Sequence, residues 1–136
     1  MDREIHFEVV GFPPAKNEAI SMFSPKHSHA TRIIELLKTV RIAMRHQGFE
    51  PFDANDPIGL EVVLHAEPGT DPWDATNYLG GIGDALEDKT RRQQLEHLGE
   101  LVNVFLYFND RQIREVHYRL VPASRARYVV RVWGLI

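Results

Sequence analysis

The chain has 136 residues, 43% of them hydrophobic and 26% charged, a composition that fits one globular domain and excludes a disordered chain. It contains no cysteine, which excludes a disulfide framework and a thiolate metal site, and its formal charge of −3 argues against a dedicated nucleic-acid binder. No apolar stretch reaches the roughly 18–20 residues of a membrane span, and MDREIHFEVV lacks the basic and long apolar regions of a signal peptide, so a cytoplasmic location with no membrane partner is expected.

Taken in order, Glu4 to Val10 alternates apolar and polar residues and predicts a strand, ended by Gly11 and Pro13-Pro14. The loop that follows is long for a compact domain and carries Lys16, Asn17 and Lys26. Met22 and Phe23 in that loop are exposed unless they fold back on the core. Ser28 suits an N-cap, and Ile33, Ile34, Leu37, Val40 and Met44 recur at helical spacing, which predicts a helix from Ser28 to His46 stopped by Gly48. Ile58 to Ala66 predicts a strand with Leu60, Val62, Leu64 and Ala66 on one side.

The stretch Thr70 to Leu86 gathers Asp71, Asp74, Asn77 and Asp84 around an aromatic and paired glycines. As a helix from about Asp74 to Leu86 it places Asp74, Asn77, Gly81 and Asp84 on one face and Tyr78, Ile82, Ala85 and Leu86 on the other. Asp71-Pro72 fits an N-cap with proline at the first helical position. Gly80-Gly81 costs about 1 kcal/mol per glycine in a helix interior, so another backbone is expected close by, or a bend. Glu87 to Glu100 reads as polar and helix-prone with a break at Gly99, and Leu101 to Phe108 as a strand. Asn109-Asp110 suits a turn, and Ile113 to Val121 and Tyr128 to Trp133 read as the last strands. The whole chain, 1–136, reads as one domain of α/β (α+β) class, a mixed sheet with two main helices.

Carboxylates from separate segments that meet in space can hold a hard divalent ion. Asp74 and Asp110 are candidates, although each also has an ordinary structural role, in a first helical turn and in a turn respectively. Arg111, Arg114, His117 and Arg119 cluster and could form either a basic binding surface or a solvated face.

Order and spacing together resemble the RusA-like Holliday junction resolvases. Pro13-Pro14 with Lys16-Asn17 resembles that family's PP-x-x-N loop, Asp74, Asn77, Asp84, Ala85 and Leu86 its D-x-x-N and D-A-L motif, and Asn109, Asp110 and Gln112 its D-D-x-Q. Thr76 stands where the family has a second acid, Gly80 where it has a lysine, and Asn109 where it has the first acid of the pair. The resemblance implies a homodimeric, Mg2+-dependent (or Mn2+-dependent) endonuclease acting on branched DNA. Asp74 and Asp110 would then be catalytic metal ligands, with Asp71 or Asp84 a candidate for the missing oxygen. Lys16, Asn17, Lys26, Asn77, Arg111 and Arg114 would contact DNA. The missing acid and lysine motivate two alternatives, a junction-binding relative that does not cut and a dimeric structural or interaction protein.

Overall fold

The computed structural model describes residues 3–16, 23, 29–90, 92 and 95–135. Four strands, β1 (Glu4–Val10), β2 (Ile58–His65), β3 (Ile113–Val121) and β4 (Arg127–Gly134), form one mixed sheet in the order β1-β4-β2-β3. β4 runs antiparallel to β1 and β2, and β3 runs parallel to β2 at the edge. Two helices, α1 (Ala30–Gln47) and α2 (Ala75–Leu86), complete an α+β fold.

Period-two alternation decides which sheet face is dry. Ile5, Phe7 and Val9, then Leu60, Val62 and Leu64, then Tyr128, Val130 and Val132, are buried on one side. Ile33, Leu36, Leu37 and Val40 of α1 and Tyr78, Ile82, Ala85 and Leu86 of α2 join the same core. Each of the larger aliphatic and Phe side chains among these contributes about 1.5–3 kcal/mol by leaving water. The opposite face is polar. Arg131 there reaches Glu4 at 3.0 Å and Glu61 at 3.4 Å, and Arg127 reaches Glu8 at 2.7 Å.

α1 starts at Ala30 after His29, whose side chain makes no cap hydrogen bond, while the expected cap Ser28 lies outside the described residues. It ends as expected at Gly48, whose φ of 59° is left-handed and whose N–H donates to the Met44 carbonyl. Phe23 does fold back and is buried, whereas Met22 lies outside the described residues.

Two expectations fail between α2 and β3. Residues Leu101 to Phe108 do not join the sheet. A 3-10 helix, Glu96–Asn103, kinks at Gly99 and runs into extended chain that makes one isolated bridge, Glu87 with Tyr107. Leu101, Val104, Leu106 and Tyr107 are apolar because they are buried, not because they pair. The backbone is satisfied by distant segments outside the sheet instead: Leu106 N–H donates to Leu86 O, Phe52 N–H to Leu106 O and Asp88 N–H to Tyr107 O. The polar stretch from Glu87 forms no α-helix among the described residues, although the break at Gly99 is present.

The glycines of α2 explain its placement. A Cβ on Gly81 would lie 2.1 Å from the Pro14 carbonyl oxygen, so the backbone of the first loop does press on the helix there. Gly83 has ordinary space, with the Tyr107 hydroxyl 3.7 Å from such an atom. Gly81→Ala is therefore expected to lower unfolding free energy by about 2–3 kcal/mol through overpacking. Gly83→Ala is expected to be neutral or to stabilise by up to about 1 kcal/mol through helix propensity. Urea denaturation of both variants checks the contrast; equal losses at the two positions would refute it.

Candidate functional site

The two ends of α2 carry different chemistry. At its start, Asp74 is the N-cap itself, not a first-turn residue after an Asp71 cap. Its carboxylate accepts Asn77 N–H at 3.0 Å and the Thr76 hydroxyl at 2.8 Å, while Asn77 Oδ1 accepts Asp74 N–H at 3.3 Å. The Asn77 amide and then the Thr76 hydroxyl hold the Asp74 carboxyl below its ordinary range. Asn77 also clasps the first loop, donating from Nδ2 to Lys16 O at 3.2 Å and accepting Lys16 N–H on its own carbonyl at 2.9 Å.

Asp71 is committed elsewhere. Arg32 donates to both its oxygens, at 3.0 and 3.1 Å, and the Tyr78 hydroxyl donates to it as well. Burial pushes the Asp71 carboxyl up, but the Arg32 and Tyr78 hydrogen bonds outweigh it and the net direction is down. Burial, reinforced by Asp71, pushes the Tyr78 hydroxyl up. This trio fastens α1 to the loop before α2 and engages both oxygens of Asp71.

The end of α2 gathers acids. Asp84 faces Lys16 Nζ at 3.2 Å and Arg92 at 3.8 Å, and Glu87 faces Arg92 at 3.3 Å. Glu87 also accepts the backbone N–H of Asp110 at 2.8 Å. Burial, with Asp110 and Asp84 adding repulsion, raises the Glu87 carboxyl above its ordinary value despite Arg92 and the Asp110 amide. Arg92 lies 4.7 Å over the Phe23 ring, which links the first loop to this cluster.

Gln112 sets the turn that delivers Asp110. Its Oε1 accepts Phe108 N–H at 2.9 Å and Asn109 N–H at 3.1 Å. Its Nε2 donates to Asp53 O at 2.7 Å and Asp56 O at 3.0 Å. Asn109 caps the short 3-10 helix Asp110–Gln112. Beside this turn opens a groove of about 800 Å3 lined by Asn55, Glu87, Arg92, Asn109, Arg111 and Arg114.

The expected pairing of Asp74 with Asp110 is not formed within the chain. Asp110 sits at Glu87, and from Asp74 to Glu87 the helix rises about 20 Å. Burial and then the Asp74 carboxylate raise the Tyr118 hydroxyl, so Asp74 lies towards a part of β3 well along from Asp110. Asp110 and Asp84 do approach the same residue, Glu87, which sequence reasoning passed over because it opens a run that reads as a solvated helix. Its only signal was its place three residues after Asp84 near the end of α2. Arg111 and Arg114 line the groove, Lys16 pairs with Asp84, and Asn17 and Lys26 lie outside the described residues.

Asp84, Glu87 and Asp110 are oxygen donors of the type that suits Mg2+. Among the described residues, however, no three acidic or histidine side chains are set as a metal-ligand group. The Arg92 guanidinium is paired with both Asp84 and Glu87, so an ion held by those two would have to displace it. No protein-family model matches the chain, and no curated protein matches it.

Beneath the cluster, the Lys89 amine is buried and donates to the backbone carbonyls of Glu87 and Val104. Burial lowers its pKa to about 7 from 10.5, with Asp88 opposing and Arg92 assisting the fall. Between those values the unfolded chain binds a proton that the folded chain lacks, so stability rises with pH across that window. Denaturant unfolding is expected to show a gain on the order of 1–2 kcal/mol from about pH 7 to about pH 9. Lys89→Met should abolish the gain, and a wild-type curve that is flat or falling over that range would contradict the buried-amine account.

Proposed function

We propose that this protein is a divalent-ion-dependent endonuclease acting on branched DNA, with Asp84, Glu87 and Asp110, not Asp74, as its carboxylates. The observation that carries this reading is the Asp110 N–H donated to Glu87 at 2.8 Å. It joins the N-D-R-Q turn to the end of the helix bearing D-A-L, so two motifs that resemble a resolvase separately meet at one place. The adjoining groove supplies Arg111 and Arg114, guanidinium groups that suit phosphate oxygens. Asp84, Glu87 and Asp110 would hold the Mg2+ only with the Arg92 guanidinium displaced, and the ion would supply Lewis-acid charge and an ionisable water. The chain's own part is to place the phosphodiester against the arginines of the groove. A chain that associates as a homodimer would present two such grooves to a two-fold junction.

A specific observation favours a second reading. Lys16 and Arg92 already neutralise Asp84 and Glu87 at 3.2–3.8 Å. Carboxylates so compensated attract a divalent ion weakly, which fits a relative that binds junctions without cutting them.

Cleavage of a labelled four-way junction in Mg2+ and Mn2+ separates the two. The nuclease reading expects paired nicks that fall about 100-fold or more in Asp84→Asn and Asp110→Asn, because losing even an outer partner of a metal costs about 10–100-fold. Asp74→Asn should cut normally, since asparagine caps a helix as well as aspartate. Binding without nicks in wild type would leave the second reading standing. In either case Arg111→Ala with Arg114→Ala should reduce the slope of log affinity against log salt by about 1–2, and an unchanged slope would remove the groove from the DNA contact.

A further inference from the structure

The sheet has two edges, and they are treated differently. β1 is covered by α1, and Gln47 Nε2 donates to the His6 carbonyl at 2.9 Å. β3 has nine residues, contains no proline, pairs only with β2 and departs from regular register only at its start, where Ile58 pairs with Ile113 and Gly59 with Glu115. Among the described residues, no side chain or loop hydrogen-bonds to the outer backbone groups of β3. Folded proteins usually shorten, bulge or cover such an edge, because it templates pairing with another chain. Apolar residues also accompany this edge. Val116 is 47% and Leu120 40% exposed, on the face shared with the buried Leu60, Val62 and Leu64. The helix layer therefore stops short of the last strand.

We propose that the β3 edge is the contact surface for a second copy of this chain, joined antiparallel across a two-fold axis at His117. Sequence selects that register. A two-fold pairing that keeps both helix layers on one side of the joined sheet must set residues of equal parity opposite each other. Centred on His117, it places Glu115 opposite the partner's Arg119 and Arg119 opposite the partner's Glu115. Val116 then faces the partner's Tyr118, an apolar pair on the helix side. Moving the centre to Val116 or Tyr118 loses both ion pairs. In the single chain Arg119 makes no ion pair among the described residues, and Glu115 has only an exposed contact with His117, at 3.2 Å. The contact gives the homodimer of the proposed function its surface and rests on that reading only for the expectation that the chain self-associates.

Sedimentation velocity across a concentration series tests it, with Glu115→Arg, Arg119→Glu and the double exchange beside wild type. Wild type is expected to dimerise. Each single reversal should weaken the dimer about tenfold or more by setting like charges opposite one another twice, and the double exchange should restore it. The chain has no cysteine, so His117→Cys should give a reducible dimer on mild oxidation, while Val10→Cys, 86% exposed on β1, should not. A monomer at every concentration would overturn the surface and the homodimer together. A dimer indifferent to the charge reversals would overturn the surface alone. Junction cleavage, measured separately, leaves this result untouched in either direction.

Discussion

The contact between the first loop and α2 holds the rest of this structure in place. Gly81 has no side chain, and the Pro14 carbonyl occupies the space one would need. Asn77 and Lys16 then exchange two hydrogen bonds, and His29 Nδ1 accepts Ala15 N–H at 2.9 Å. With the loop fixed so closely, Lys16 reaches Asp84, while Arg32 of α1 can donate to both Pro13 O and Asp71. The glycines weaken α2 as an isolated helix, and the docked backbone offsets that cost. A chain segment of ordinary composition thus sets the spacing between α1, α2 and the acidic cluster.

That cluster breaks a local rule. The end of a helix carries partial negative charge, which favours cations, yet α2 ends in Asp84 and Glu87 with no base in its last turn. The compensation comes from outside the helix, through Lys16 and Arg92, and it is incomplete at Glu87, whose carboxyl stays raised. Local rules broken without a local gain concentrate at functional sites. The break is what favours this end of α2 over the other. Asp74, Asn77 and Thr76 follow the helix-start rules and form a capping box, with Asn77 also holding the first loop.

Much of the fold was legible because one face of most elements is dry. β1, β2 and β4 show their period in the sequence as alternating burial, and Gly48 and Gly99 fall where the backbone needs them. Residues Leu101 to Phe108 were misread because a continuous apolar run states burial and not hydrogen-bonding geometry. Its amides are met by Leu86 and its neighbours, partners that only the fold brings near. The start of α2 falls where the periodicity put it, at Asp74, although Asp71-Pro72 offers a cap signal as good one turn earlier. Arg32 settled the choice by taking the Asp71 side chain. Of the candidate site, Asp84, Asp110, Arg111 and Arg114 were visible as residue types. Their meeting through Glu87 was not, since a backbone amide on a carboxylate leaves no trace in sequence spacing.

The proposed groove and the proposed dimer edge lie on one strand. Arg114 lines the groove as the second residue of β3, at the register shift just before Glu115. Pairing about His117 would set the two Arg114 side chains about 20 Å apart along the strand direction, each at its own end of the joined edge. A strand paired on both sides frays less than one held by β2 alone, so association would stiffen the wall of each groove. Preorganising an arginine costs ordering entropy that DNA binding would otherwise bear. Association and phosphate recognition would then be linked through β3, which serves both surfaces and carries Arg114 in each.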